Sequence, residues 1–261
     1  MRRVAAVTGG SGGIGRCAAA ELARRGFAVY ELSRSGTGFD GVEHVGCDVT
    51  SEEQVRAAIN GIAAREGRLD LLICCAGFGI SGAVEQTAPE ASHAQLDVNL
   101  FGADSAARAA IPHMRRGGGG RIVFVSSVAA VAPIPFQTWY SVSKAALNCY
   151  ALALANELRP FGISVGAVML GDVRTGFTAA RKRDDSADLL YGGRVSRSVA
   201  RMEKDERGGM SAERAGAAVV RFSLGRRPLA AVGAQYRAIC VLIRLLPAAF
   251  VQRVLYSMYA K

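Results

Sequence analysis

Short apolar runs alternate with longer amphipathic stretches along most of this chain, and each change of period marks an element boundary. Val4 to Thr8 is an apolar strand pattern that runs into Gly9-Gly10-Ser11-Gly12-Gly13-Ile14-Gly15, after which Cys17 to Ala23 has the composition of a buried helix. Gly26 stops that helix. Phe27 to Leu32 reads as a second strand and Val42 to Cys47 as a third, and Ser51 with Gln54 offers a capping box for a helix beginning near Ser51. Leu69 to Cys75 reads as strand four, Pro89 to Met114 as one long helix, and Arg121 to Ser126 as strand five. Trp139 to Leu158 follows as a helix ended by Pro160, then Ile163 to Met169 as strand six and Leu229 to Val232 as strand seven.

Strands that are apolar at consecutive positions, rather than at every second one, are covered on both faces. Alternating with helices, they predict an α/β fold: a doubly wound parallel sheet of Rossmann type, in a single domain spanning residues 1–261. Residues from about 175 to 212 break the rhythm; they are polar and Arg-rich, carry Gly192-Gly193 and Gly208-Gly209, and are expected to form a mobile substrate lid. Over about 234–261, Phe250, Val251, Val254, Leu255 and Met258 share one helical stripe, with Arg237, Arg244 and Arg253 nearby. Such a basic amphipathic tail either packs over the substrate pocket or a neighbouring subunit, which is the expectation preferred here, or makes peripheral contact with a membrane surface.

Half the residues are hydrophobic, enough for one large core. No stretch reaches the roughly 20 uninterrupted apolar residues of a membrane span; the longest candidate, Ile239 to Val254, is broken by Arg244, Pro247 and Arg253. Met1-Arg2-Arg3 leads into a strand and glycines rather than the apolar centre of a signal peptide. The six cysteines have no metal or disulfide spacing, so they are expected to act as small apolar residues of a cytoplasmic protein that binds no metal. The net charge of +10 is uneven: residues 1–170 carry 15 Lys/Arg against 14 Asp/Glu, residues 171–261 carry 17 against 8. Those later cations are mostly scattered arginines without aromatic interleaving, which argues for a solvated basic face and against a nucleic-acid partner.

The glycine loop between the first strand and the first helix carries the first chemical signal. Glycines let the backbone approach a pyrophosphate, whose charge is met by amide N–H groups and the positive end of the helix. After the second strand, NAD-specific folds of this kind place an acid against the adenosine ribose, whereas this chain has Ser33-Arg34, a pair suited to a 2′-phosphate. NADP(H) is therefore the expected cofactor, with NAD(H) as the alternative.

Taken together the motifs resemble the short-chain dehydrogenase/reductase family, over about residues 3–176. The loop reads Thr8-Gly9-x-x-x-Gly13-Ile14-Gly15 with Ser11 inside it. Asp48-Val49 resembles the pair that contacts adenine, and Ala76-Gly77 the end of the family's Asn-Asn-Ala-Gly. Gly171, Val173 and Thr175 resemble the segment that holds the nicotinamide carboxamide. Asn99, Ser127, Tyr140 and Lys144 match the family's catalytic asparagine, serine, tyrosine and lysine. Cys74 and Cys75 stand where asparagines are usual, and Leu170 where a proline precedes the glycine. The resemblance implies hydride transfer between nicotinamide and a carbonyl or secondary alcohol, with Tyr140 as proton donor or acceptor and Ser127 holding the substrate oxygen. Lys144, one helical turn from Tyr140, would bind the nicotinamide ribose and lower the tyrosine pKa, and Asn99 would hold a relay water.

Phe78, Ile80, Val128, Ile134, Phe136 and Phe177, with Pro133 and Trp139, are expected to line an apolar substrate site. Phe78-Gly79-Ile80-Ser81-Gly82 resembles the family's hydroxysteroid and retinol dehydrogenase-like branch. A homodimer or homotetramer is implied by the same resemblance. The competing reading is a non-catalytic NADP(H)-binding sensor or scaffold of this fold, which would have no need of the full proton relay.

Overall fold

The computed structural model describes residues 2–261. Its first strand, β1 (Val4–Thr8), is buried along its whole length, and its side chains divide between two cores. Val4 and Ala6 enter one, Ala5 and Val7 the other. The helices and strands that follow are α1 (Gly13–Arg24), β2 (Ala28–Ser33), β3 (Val42–Gly46), α2 (Glu52–Glu66), β4 (Leu71–Cys74), the short β5 (Ile80–Ser81), α3 (Pro89–Leu96) and α4 (Gly102–Arg116). The second half holds β6 (Gly120–Ser127), α5 (Thr138–Leu158), β7 (Ile163–Leu170), β8 (Val173–Arg174), α6 (Phe177–Ala180), β9 (Lys182–Arg183), α7 (Arg194–Gly208), β10 (Met210–Ser211), α8 (Ala212–Ser223), β11 (Leu229–Ala231), α9 (Ala234–Leu245) and α10 (Ala248–Tyr259).

Seven strands form one sheet in the order β11-β7-β6-β4-β1-β2-β3, every neighbouring pair parallel. The chain winds outward from β1 in both directions, so the strand order reverses there and opens a crevice at the carboxyl ends of the central strands. Helices α2, α4 and α5 cover one face and α1 with α8 the other, which is why Leu71 to Cys74 and Ile122 to Val125 are apolar at consecutive positions. Gly216 of α8 lies so close to α1 that a Cβ there would stand 2.7 Å from the Cys17 Cβ.

The expected capping of α2 is half realised. Ser51 Oγ accepts from the Gln54 N–H at 3.3 Å, but the Gln54 side chain reaches past Ser51 to the Asp48 N–H at 2.9 Å. The helix expected over Pro89 to Met114 runs unbroken from Pro89 to Arg116, α3 continuing into α4 through a π-turn at Asp97–Phe101. The wider turn rotates Asn99 into the protein, where its three hydrogen bonds offset the poorer helix geometry. Residues 175–212, expected as a lid, hold α6, β9, α7 and β10, with buried Arg181 ion-paired to Glu206.

Candidate active site

The glycine loop is shaped by close backbone contacts. Gly9 has φ 68°, and a Cβ on it would stand 2.7 Å from the Ala76 Cα; a Cβ on Gly15 would stand 2.2 Å from the Gly9 carbonyl oxygen. Thr8 is buried, its hydroxyl accepting from the Cys75 and Ala76 N–H groups at 3.2 and 3.3 Å, which ties the loop to the end of β4. Beyond these, Gly12 faces open space and Ser11 is half-buried. Among the described residues no side chain caps α1, whose first turn points its N–H groups outward. Such a cradle, tight beneath and open above, fits a pyrophosphate.

At the far end of the loop Arg34 is exposed and Ser33 half-buried. Hydrogen bonds from Thr50 hold the Asp48 carboxyl below its usual range, and Arg34 adds to that effect. Val49 packs against Gly102. Glu31 is wholly buried and paired with His44, and its Oε1 also accepts from the Ser33 hydroxyl at 3.3 Å.

The carboxyl ends of β4 and β6 bring the four expected catalytic residues into one region. Asn99 Oδ1 accepts from Phe78 N–H at 3.0 Å, and its amide donates to the Phe78 carbonyl at 3.0 Å and to Ser143 Oγ at 3.1 Å. Gly77 forms the floor between: a Cβ on it would lie 3.1 Å from Asn99 Oδ1 and 3.7 Å from Lys144 Nζ. Ser127 ends β6, its hydroxyl accepts from the Ala129 N–H at 3.1 Å, and it lies close enough to the Tyr140 phenol to pull its pKa down. Lys144 Nζ lies 5.7 Å from the Tyr140 ring centre and donates to the Val125 carbonyl at 2.9 Å.

Burial governs both titrating groups. It pushes the Tyr140 phenol up to about 12, with Ser127 opposing, and brings the Lys144 ammonium down to about 8. In the protein's own groups desolvation is the leading influence on Tyr140, while the Lys144 ammonium is turned toward the Val125 carbonyl, so Tyr140 is a protonated phenol at neutral pH.

A cavity of about 460 Å³ opens from this cluster. Ile14, Gly77, Ser127, Tyr140, Lys144, Gly171, Val173 and Thr175 share its wall, and Thr175 approaches Gly13 across it, so the loop and the segment after β7 face each other. Of the expected substrate residues, Val128, Ile134 and Phe177 line it, and Phe177 stands 5.6 Å from Tyr140 between ring centres. Phe78, Ile80 and Phe136 stand outside that wall. Ile80 is held in register with Lys182, Phe136 stacks on Tyr191, and the Phe78 backbone is held by Gln95 and Asn99 while Lys182 lies over its ring.

The rest of the wall escaped sequence reasoning in part. The tail is a hairpin, α9 and α10, whose inner side closes the cavity with Tyr236, Leu242, Phe250 and Val254. Its hinge is Tyr236: the ring lies over Gly171, where a Cβ would come within 2.0 Å of it, and the hydroxyl donates to Asp172 Oδ2 at 2.6 Å. The glycine after β7 was legible, but the partner that requires it, 65 residues on, was not. Glu206, whose charge raises the Tyr140 pKa, also lines the cavity.

A model of the short chain dehydrogenase family matches residues 3–186. The chain is 37% identical over 230 residues to 3-ketodihydrosphingosine reductase of Bacteroides thetaiotaomicron, covering 85% of this chain and 84% of that one. It is 35% identical over 191 residues to human 17-beta-hydroxysteroid dehydrogenase type 1, covering 67% of this chain and 58% of the relative. Among solved structures, a short-chain dehydrogenase from Streptomyces avermitilis superposes with TM-score 0.83 at 26% identity, covering 98% of this chain and 96% of that one.

Proposed function

The chain belongs to the short-chain dehydrogenase family and is an oxidoreductase, and from that premise we propose that it reduces the ketone of a long-chain lipid with NADPH. The observation that carries this reading is the cavity: an apolar chamber walled by a hydrophobic hairpin, with Ser127 and Tyr140 among its few polar groups. A relative whose name specifies a 3-keto sphingoid base supports the same substrate class. Arg34, exposed at the end of β2, supports NADPH over NADH.

Ser11, Gly13, Ile14 and Gly15 would hold the pyrophosphate, Ser33 and Arg34 the 2′-phosphate, Asp48 and Val49 the adenine, and Ala76 and Gly77 the nicotinamide ribose side. Gly171, Val173 and Thr175 would hold the carboxamide. Bound there, the dinucleotide supplies the hydride. Ser127 holds the ketone oxygen, and Tyr140, a phenol at neutral pH, gives that oxygen its proton. Lys144 holds the nicotinamide ribose, and Asn99, fixed by Phe78 and Ser143, positions a water that resupplies the proton. Phe177 and the hairpin exclude bulk water. Oxidation of the alcohol runs through the same groups in reverse. We further infer a cytoplasmic homo-oligomer, a reading supported by six free thiols and by the exposed apolar residues Val142 and Leu152 on α5.

The test is fluorescence titration of NADPH and NADH into wild type and Arg34→Ala, followed by turnover of long-chain 3-ketones by wild type and Tyr140→Phe. NADPH is expected to bind tighter, and Arg34→Ala to weaken it by about ten- to a hundredfold while sparing NADH. Tyr140→Phe is expected to bind NADPH and not turn over. Binding of both nucleotides with no turnover of any ketone by wild type would leave a nucleotide sensor instead.

A further inference from the structure

The hairpin that closes the cavity has a second face. Among the described residues of α9 none is fully buried, and α10 buries one, Leu255. Yet both helices are rich in large apolar side chains: Leu245 is 75% exposed, Val241 55% and Phe250 51%. Leaving such side chains on a water-facing hairpin is unfavourable unless another apolar phase covers them.

The charge around them identifies that phase. After Glu213 the chain holds eight Lys/Arg and no Asp/Glu, and Arg237, Arg244, Arg253 and Lys261 are all exposed on or beside the hairpin. A second copy of the chain seated on this face would bring the same arginines against themselves. An anionic lipid surface instead accepts both the apolar side chains and the surrounding cations. The cavity wall and the patch share side chains, because Leu242, Phe250 and Val254 line the cavity and are also exposed.

We propose that the α9–α10 hairpin docks on an anionic bilayer and admits the lipid substrate to Tyr140 directly from it. The substrate half of this statement rests on the long-chain reading above; the docking half does not. Val241 and Leu245 lie at the centre of the face and do not line the cavity, so changing them leaves the reacting groups untouched.

The experiment is flotation of the full chain with vesicles of phosphatidylcholine alone or mixed with phosphatidylglycerol, for wild type and the V241D/L245D variant, with sedimentation mass and turnover measured in parallel. Wild type is expected to float with the mixed vesicles, less so in high salt, and the variant to stay in solution. Toward a short, water-soluble ketone the two should have equal kcat/KM, whereas toward a long-chain ketone held in mixed vesicles the variant should lose about tenfold or more. Absence of wild-type flotation, or equal flotation of the variant, overturns the docking. So does a wild-type dimer that the substitutions dissociate, which would give the face to a second copy. If neither ketone is reduced while flotation behaves as expected, the substrate reading fails and the docking stands.

Discussion

Lys144 is the most costly side chain of the candidate site to bury. Its folded-state pKa of about 8 lies below the ordinary 10.5, so between those values the unfolded chain binds the proton that the folded one gives up. Stability from this group therefore rises with pH across that window, and below about 8 the full penalty applies. Lys144→Met removes a penalty of about 3 kcal/mol and forfeits a hydrogen bond to Val125 worth about 1 kcal/mol. Urea denaturation should show the variant more stable by about 2 kcal/mol at pH 7, with the gain vanishing by about pH 10.5, and the variant should lose turnover. Equal stability at both pH values would mean that the ammonium finds compensation elsewhere. Glu206 acts in the opposite sense to Arg181 on Tyr140, raising its pKa. In Glu206→Gln the remaining Arg181 charge lowers it, so the alkaline limb of the reduction rate, which needs the phenol protonated, should move to lower pH. The Tyr140–Lys144 spacing was readable from one turn of helix. The influence of Glu206, 66 residues away, depends on where α7 packs, which no period reveals.

Helices and strands announce themselves by apolar period, and a parallel sheet with helices on both faces was legible because consecutive apolar positions require cover on both sides, whereas the order of its strands was not. The π-turn at Asp97–Phe101 was not, since one extra residue leaves the hydrophobic spacing of a helix nearly unchanged while turning Asn99 inward. The hairpin was legible in outline, since its stripe and its packing over the pocket were both expected, but the contact that seats it, a single ring lying over Gly171, was not. Gly171→Ala places a methyl within about 2 Å of the Tyr236 ring and must displace it, breaking the bond to Asp172. Tyr236→Phe keeps the ring and removes the bond alone. Steady-state kinetics with a long-chain ketone should then show KM raised strongly by Gly171→Ala and mildly by Tyr236→Phe, with kcat changed less in both. A fall in kcat alone, with KM intact, would show that the ring serves the reacting groups rather than the hairpin.

Across the whole molecule, two of the exposed apolar surfaces, on α5 and on the hairpin, are distinguished by their charges. The sequence showed that the cations concentrate in the last third, but not that they ring an apolar hairpin, since that arrangement exists only once α9 and α10 are folded. On the opposite side of the chain's sequence, α5 exposes Val142, Cys149 and Leu152 along one stripe, with neutral neighbours Ala153 and Asn156. A stripe without like charges suits a second copy related by a two-fold axis, because each residue then meets its own kind without repulsion. Leu152→Arg places two guanidinium groups against each other in such a pair, so sedimentation equilibrium should report a halved mass for this variant. Flotation on anionic vesicles and turnover of a soluble ketone should persist, because neither the hairpin nor the cavity contains Leu152. An unchanged mass would remove α5 from the assembly, and loss of flotation together with mass would mean that the bilayer is gripped by two hairpins acting at once.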